Sequence, residues 1–478
     1  MNNINTSMRF LFFIIMTSVV YGDSKTMFIP RLISTDSVFE LALTNAQFQK
    51  EKNENVVPWD DSNILAFKPF FQRSRSGESL ARFFLPHNKA CIQFRENGTG
   101  DVNPLWFNVI GNNTTCYSST LCIRPERTSY GMILTWYKDL SEHVNHLWIG
   151  INTALVHTVH DMHFKEINRT GLGTIPGYQN AIQAFNSSTW TAGKIASHPL
   201  HRTGLDDIQL KLGYDFWQSY STTLAFYGVS TIPTGSRPQS CFLFEPLVGS
   251  KHASLGAGFN MDYENCRNFN IMADLKYRYV FAATQRRSFD LKNGDWSRYL
   301  LVVTEKEPFF VYPGINSFTK DVKVTPGHTL QMWSAINYHT CVWNLEAGYN
   351  FWFAGKEKLC LLCDTIGLPG NIPIGIFDMQ VFTPPVTTAH NAQIQQGVTG
   401  FDPVVGDNVF TPTTIADVNI CSARNSHMLS NTLYGSCKYQ FPCDHHPVFI
   451  ELSGSYEFGH GCGVLSQYAI WGAITLLF

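Results

Sequence analysis

The sequence predicts an all-β fold, a transmembrane antiparallel β-barrel of about 12 strands, within about 10 to 14, with long outer loops. Three observations predict it. Apolar and polar residues alternate with period two over many separate stretches, most of these stretches run to about ten residues or more, and the connections between them are alternately short and long. A tilted strand needs about 9–11 residues to cross a bilayer, so the stretches are long enough.

Strand-like runs fall at 88–95, 128–139, 145–163, 207–217, 221–233, 252–263, 268–284, 327–339, 341–354, 428–441, 446–459 and 464–478. The alternation is sharpest in four of them. Ile208, Leu210, Leu212, Tyr214 and Phe216 alternate with Gln209, Lys211 and Asp215, while Phe269, Ile271, Leu275, Tyr277 and Tyr279 alternate with Asn270, Asp274, Lys276 and Arg278. Trp343, Leu345, Tyr349 and Phe351 alternate with Asn344, Glu346 and Asn350, and Val448, Ile450, Leu452, Tyr456 and Phe458 with Glu451, Ser453, Ser455 and Glu457. Residues 128–139 and 221–233 carry apolar side chains on both faces and declare no inner side. Connections 140–144, 218–220, 264–267, the Thr340 region and 442–445 are short. Those at 96–127, 164–206, 234–251, 285–326 and 355–427 are long, and 460–463 is brief. A soluble sandwich has no reason to lengthen every second connection, whereas a membrane barrel does. Closure also removes the free edges that such apolar strands would otherwise expose.

The first 22 residues read as a signal peptide: Arg9 precedes an apolar run from Phe10 to Val20, and Gly22 is the expected last residue removed. No later stretch offers about 18 continuous apolar residues, so no helical span is expected. Residues 23–87 have no clear period and read as a periplasmic arm or a plug inside the barrel. The expected division is therefore signal peptide 1–22, N-terminal periplasmic or plug segment 23–87, and barrel 88–478. Only 15% of the 478 residues are charged and 14% are aromatic, which suits a surface partly in lipid. The formal net charge of −2 and the lack of basic blocks exclude nucleic acid as an expected partner. Export makes disulfides permissible among the 12 cysteines, with Cys116–Cys122, Cys360–Cys363 and Cys437–Cys443 as candidate pairs.

The final stretch, VLSQYAIWGAITLLF, places Tyr468, Ile470, Gly472, Ile474, Leu476 and Phe478 on one face, opposite Gln467, Ala469, Trp471, Ala473 and Thr475. A terminal Phe preceded by apolar residues at every second position resembles the C-terminal signal strand of bacterial outer-membrane β-barrels, and the hairpin rhythm resembles that of porin-like proteins. The resemblance implies a location in the cell outer membrane, with outer-membrane lipid and the barrel-assembly machinery as partners. It implies that Tyr468, Gly472, Ile474, Leu476 and Phe478 form the assembly signal, and that the short turns face the periplasm. Residues 88–95 are then expected to close antiparallel against 464–478.

The inner faces supply the candidate functional residues. Lys211, Asp215, Asp274, Lys276, Arg278, Glu346, Glu451 and Glu457 are expected to line a narrow polar pore, since ionisable groups avoid lipid. Arg286, Arg287 and Arg298 belong to a long outer connection that could fold inward and constrict it. His157, His160 and His163 cannot converge on a metal from one strand and read as solvated rim histidines. No nucleophile elbow, HExxH, Walker A or dinucleotide fingerprint is present, so the expectation is no enzyme, no catalytic residue, no metal and no cofactor. The expected function is a porin-like channel for passive diffusion of small polar solutes. The alternative is a non-transporting barrel whose long loops, 355–427 above all, bind host or partner surfaces.

Overall fold

A computed structural model of the protein describes residues 24–40 and 63–477, except 76, 97, 110–115, 142, 174–176, 220, 267, 341, 378–385, 391, 397–409, 442–447 and 461–463. Its centre is a closed 12-strand antiparallel barrel. The strands are β1 Asn63–Ser74, β2 Glu126–Asp139, β3 Leu147–Asp161, β4 Ile208–Gln218, β5 Thr222–Ile232 and β6 Ser254–Cys266. They continue as β7 Phe269–Val280, β8 Thr329–His339, β9 Trp343–Ala354, β10 Met428–Phe441, β11 Val448–His460 and β12 Gln467–Leu477. Each pairs with its sequence neighbour, and β1 closes the wall by pairing with β12. The upper half of β3 pairs with the short strand Leu200–Leu205, which bends at Asp206 into β4. Among the described residues no helix is long and apolar enough to cross a membrane.

The wall follows the period-two pattern. Leu212, Phe226, Leu255, Tyr277, Ile336, Leu345, Leu433, Leu452 and Ile470 are exposed on the outside, while their polar neighbours are buried inside. An apolar belt around a closed wall is stable in lipid because every strand satisfies its backbone groups within the ladder. The two strands whose inner side the sequence left undeclared carry Ile133, Tyr137, Tyr227 and Val229 inward, where they form small apolar clusters. Glycine makes room for such rings: a Cβ on Gly258 would lie 2.1 Å from the Tyr227 ring, and one on Gly348 would lie 2.3 Å from the Tyr434 hydroxyl.

The first strand is β1, not 88–95. Residues 88–95 contain Cys91–Arg95, which pairs with Ser118–Cys122 in a separate three-stranded sheet. β1 hides in the sequence because Pro69 interrupts it. The β1–β12 pairing lapses between Phe67↔Ile474 and Phe70↔Trp471, where Pro69 has no N–H to offer, while pairing with β2 continues through Pro69↔Met132.

The long connections lie at one end of the barrel and are folded rather than loose. They share a hydrophobic core that includes Phe84, Trp106, Phe185, Trp296, Tyr299, Phe318 and Ile374, which makes them a cap. Arg287 and Arg298 are buried there, ion-paired with Glu357 at 3.4 Å and Asp290 at 2.6 Å, so they brace the cap instead of constricting a pore. Cys122 bonds to Cys91 and not to Cys116, because Cys91 and Cys122 stand directly opposite each other on paired strands. Cys116, Cys360, Cys363 and Cys437 are free thiols, and Cys443 lies outside the described residues.

Candidate functional site

The N-terminal segment 24–40 occupies the interior of the barrel. Its upper end is sewn into the cap: the Ser24 amide donates to Asp295 Oδ2 at 3.0 Å, the Lys25 amide donates to the Phe83 carbonyl at 2.8 Å, and Phe28 packs edge-on against Phe83 and Phe244. Its lower end is a helical turn, Ser37–Glu40, in which Asp36 Oδ1 accepts from the Val38 amide at 3.1 Å as an N-cap. Phe39 then packs against Trp471 and Phe70, with ring centroids 5.1 and 5.9 Å away. An aromatic residue therefore pins the segment at each end, one in the cap and one in the wall.

Between these pins the segment is held by polar contacts to strands all round the wall. Lys211 Nζ on β4 donates to Glu40 Oε2 at 2.6 Å, and Lys276 Nζ on β7 donates to Glu40 Oε1 at 2.9 Å and to the Thr35 carbonyl at 3.2 Å. Arg31 bridges Asp36 at 2.8 Å and Glu457 of β11 at 3.1 Å. Asn152 of β3 donates to the Ser34 carbonyl at 2.5 Å, and Lys68 of β1 donates to the Phe39 carbonyl. The Asp206 carboxylate, at the bend before β4, accepts from the amides of Ile33 and Ser34 at 3.0 and 2.8 Å. Burial pushes the Asp206 carboxyl up to about 6, with neighbouring Asp207 adding to the rise and the amide bonds from Ser34 opposing it.

All eight charges expected along the pore face inward. Asp274 accepts from the Tyr227 hydroxyl at 2.7 Å, and Asp215 accepts from the Trp148 indole N–H at 3.0 Å. Glu346 and Glu451 flank Lys438 at 3.4 and 3.8 Å, and Glu457 accepts from Gln467 at 2.5 Å as well as from Arg31. Lys211 and Lys276 hold Glu40, whereas Arg278 has no hydrogen-bond or ion-pair partner among the described residues. The structure adds inward charges that the sequence reading passed over: Lys68, Arg127 and Lys438 of the wall, and Arg31, Asp36 and Glu40 of the segment. Lys438 was legible, since it alternates with Tyr439 in β10, while Lys68 was masked by Pro69.

Above the segment and under the cap lies a cavity enclosing about 1040 Å³ of non-protein space, part of it open to solvent. Its apolar lining comes from the segment (Phe28, Ile29, Leu32), from strand ends (Val280, Trp352, Met428) and from Leu465. Its charged lining is Arg31, Arg127, Arg278, Glu357 and Glu457. His252 also faces it, donating through Nδ1 to the Phe281 carbonyl at 2.9 Å and accepting at Nε2 from Gln285 at 2.7 Å.

Of the three histidines read as solvated, His160 is buried inside and stacks on Phe244 at 4.0 Å. His157 lies on the outside against Tyr130 and His201, and His163 sits at the rim near Glu126 and Asp161. Among the described residues no cluster of His, Cys, Asp and Glu has metal-binding geometry. Along β12, Tyr468, Gly472, Ile474 and Leu476 face outward and Ala469, Trp471, Ala473 and Thr475 inward, while Phe478 lies outside the described residues.

No family model matches the chain, and no curated protein matches it. Among solved structures it is similar to an outer membrane channel from Pseudomonas putida F1, at 8% identity over 88% of this chain and 100% of that one, with a TM-score of 0.40. It is also similar to the NanC porin, at 8% identity over 87% of this chain and 98% of that one, TM-score 0.27. A FadL homologue of Pseudomonas aeruginosa matches at 8% identity over 87% of this chain and 89% of that one, TM-score 0.27. Barrels of unrelated sequence share likeness of this degree, so the assignment stands on this chain's own closed wall, apolar belt and short-turn end. By that wall the chain has the fold of a membrane-spanning antiparallel β-barrel.

Proposed function

We propose that the barrel is a gated transport channel, closed in this state by residues 24–40, and that the cavity under the cap receives solutes with apolar character. The observation that carries this reading is the segment itself: a polar lumen of 12 strands is filled by a stretch of chain held at both ends and joined to the wall through side chains, not by strand pairing. A segment so held can leave without breaking the barrel, because the ladder between strands is independent of it. The passive diffusion of small polar solutes along Lys211, Asp215, Asp274, Lys276, Glu346, Glu451 and Glu457 requires that departure, since these groups are now engaged with the segment or with other side chains of the wall.

The test is conductance in planar bilayers. The native barrel is expected to be mostly closed, and Glu40→Gln is expected to raise the open fraction sharply. Silence from both, with the barrel correctly inserted, would favour a second reading in which the cap is a binding platform. That reading draws on the cap's own hydrophobic core, which makes the outer end a rigid surface. In either reading, outer-membrane lipid around the belt and the assembly machinery at β12 are the partners the architecture calls for.

A further inference from the structure

The cavity under the cap carries a charge imbalance that gating does not use. Three arginines line it against two glutamates, and both glutamates are engaged: Glu457 with Arg31 and Gln467, and Glu357 with Arg287 and Asn425. Among the described residues the Arg127 guanidinium donates to the Gln72 amide oxygen alone, at 3.3 Å. Arg278 is 6% exposed and has neither a hydrogen bond nor an ion pair among the described residues. The nearby acids, Asp36 and Glu40, are committed to Arg31 and to the two lysines. The Arg278 guanidinium thus faces the cavity without an acceptor from the described residues, and its planar fork matches a carboxylate.

We propose that Arg278 is the head-group site for an anionic amphiphile, a single carboxylate on a hydrocarbon tail, with the tail lying along the apolar side of the cavity. This rests on reading the cavity as the solute's chamber. Arg278 lies on the last turn of the pleat before β7 ends at Val280, so its guanidinium meets the chamber while the apolar groups Ile29, Leu32, Val280, Met428 and Leu465 offer the tail a surface. A carboxylate at Arg278 would receive the charge-assisted bonds that the wall does not supply, and burial of the tail would add to them through the hydrophobic effect. A small inorganic anion could use the first contribution but not the second.

The experiment is isothermal titration of the full-length barrel, in a non-ionic detergent, with decanoate, decanol and inorganic phosphate. Decanoate is expected to bind about tenfold more tightly than decanol, and phosphate to bind weakly. Arg278→Met should erase the preference for decanoate over decanol while leaving decanol binding in place, and Arg278→Lys should restore part of it. Equal binding of decanoate and decanol by the native barrel, or a preference that survives Arg278→Met, overturns the proposal. Heat-modifiable migration on gels confirms that each variant is folded. If Glu40→Gln leaves conductance unchanged while the decanoate preference holds, the gate alone fails; if conductance rises and no preference exists, the head-group site alone fails.

Discussion

Glu40→Gln is the perturbation that separates a held segment from a fixed one. The native carboxylate accepts from Lys211 at 2.6 Å and from Lys276 at 2.9 and 3.1 Å, and all three side chains are largely withdrawn from solvent. Removing one partner of a buried ion pair costs about 3–5 kcal/mol, because the remaining charge stays buried without compensation. Some of that is recovered here. Lys276 keeps the Thr35 carbonyl at 3.2 Å, and the Lys211 ammonium lies 5.0 Å from the Tyr227 ring. The lower end of the range, about 3 kcal/mol, is therefore the expected loss. Since Glu40 belongs to the segment and both lysines to the wall, the loss falls on docking of the segment and not on strand pairing. At about 1.4 kcal/mol per factor of ten, the ratio of docked to undocked segment drops by about 100-fold. Planar-bilayer recording should show this as a large rise in open fraction, with Glu40→Asp intermediate. An open fraction equal to that of the native barrel, in protein whose heat-modifiable mobility is unchanged, would refute the idea that this carboxylate holds a gate.

Four further outcomes follow from other parts of the molecule. The Asp206 carboxyl, raised from its usual 3.8 to about 6, binds a proton more tightly folded than unfolded. Its contribution to stability is thus full at low pH and is lost as pH rises through about 6, by about 3 kcal/mol between the extremes. The melting temperature should fall between pH 5 and pH 7, and Asp206→Asn should flatten that dependence; an unchanged slope would count against this group. The Cys91–Cys122 bond closes a separation of 31 residues, so Cys91→Ser should cost the cap about 3–4 kcal/mol. Limited proteolysis should then cut within the cap while the barrel stays intact. Ile474 faces outward in β12, where a basic residue costs about 2–4 kcal/mol at mid-membrane, so Ile474→Arg should lower the amount of inserted barrel. Phe478→Asp should impair assembly without altering conductance, and normal insertion of it would contradict the role proposed for the terminal strand.

The local pattern alone determined the wall. Side chains in a strand alternate between faces, and a membrane barrel sorts them into lipid-facing apolar and inward polar sets, so the clearly alternating strands, β4, β7, β9 and β11 above all, declared their inner faces and the charges on them. Only the tertiary structure decided what fills the wall. Residues 24–40 have no period to betray them, and their partners are remote: Glu40 meets Lys211 171 residues away and Lys276 236 away, and Arg31 meets Glu457 426 away. The same holds for β1, whose Pro69 breaks the visible pattern but is accommodated where the ladder to β12 lapses, and for Cys91, whose partner is set by sheet register and not by closeness in sequence. Periodicity is a property of a strand by itself, whereas the docking of an aperiodic segment is decided by burial, charge pairing and shape that exist only once the barrel has closed.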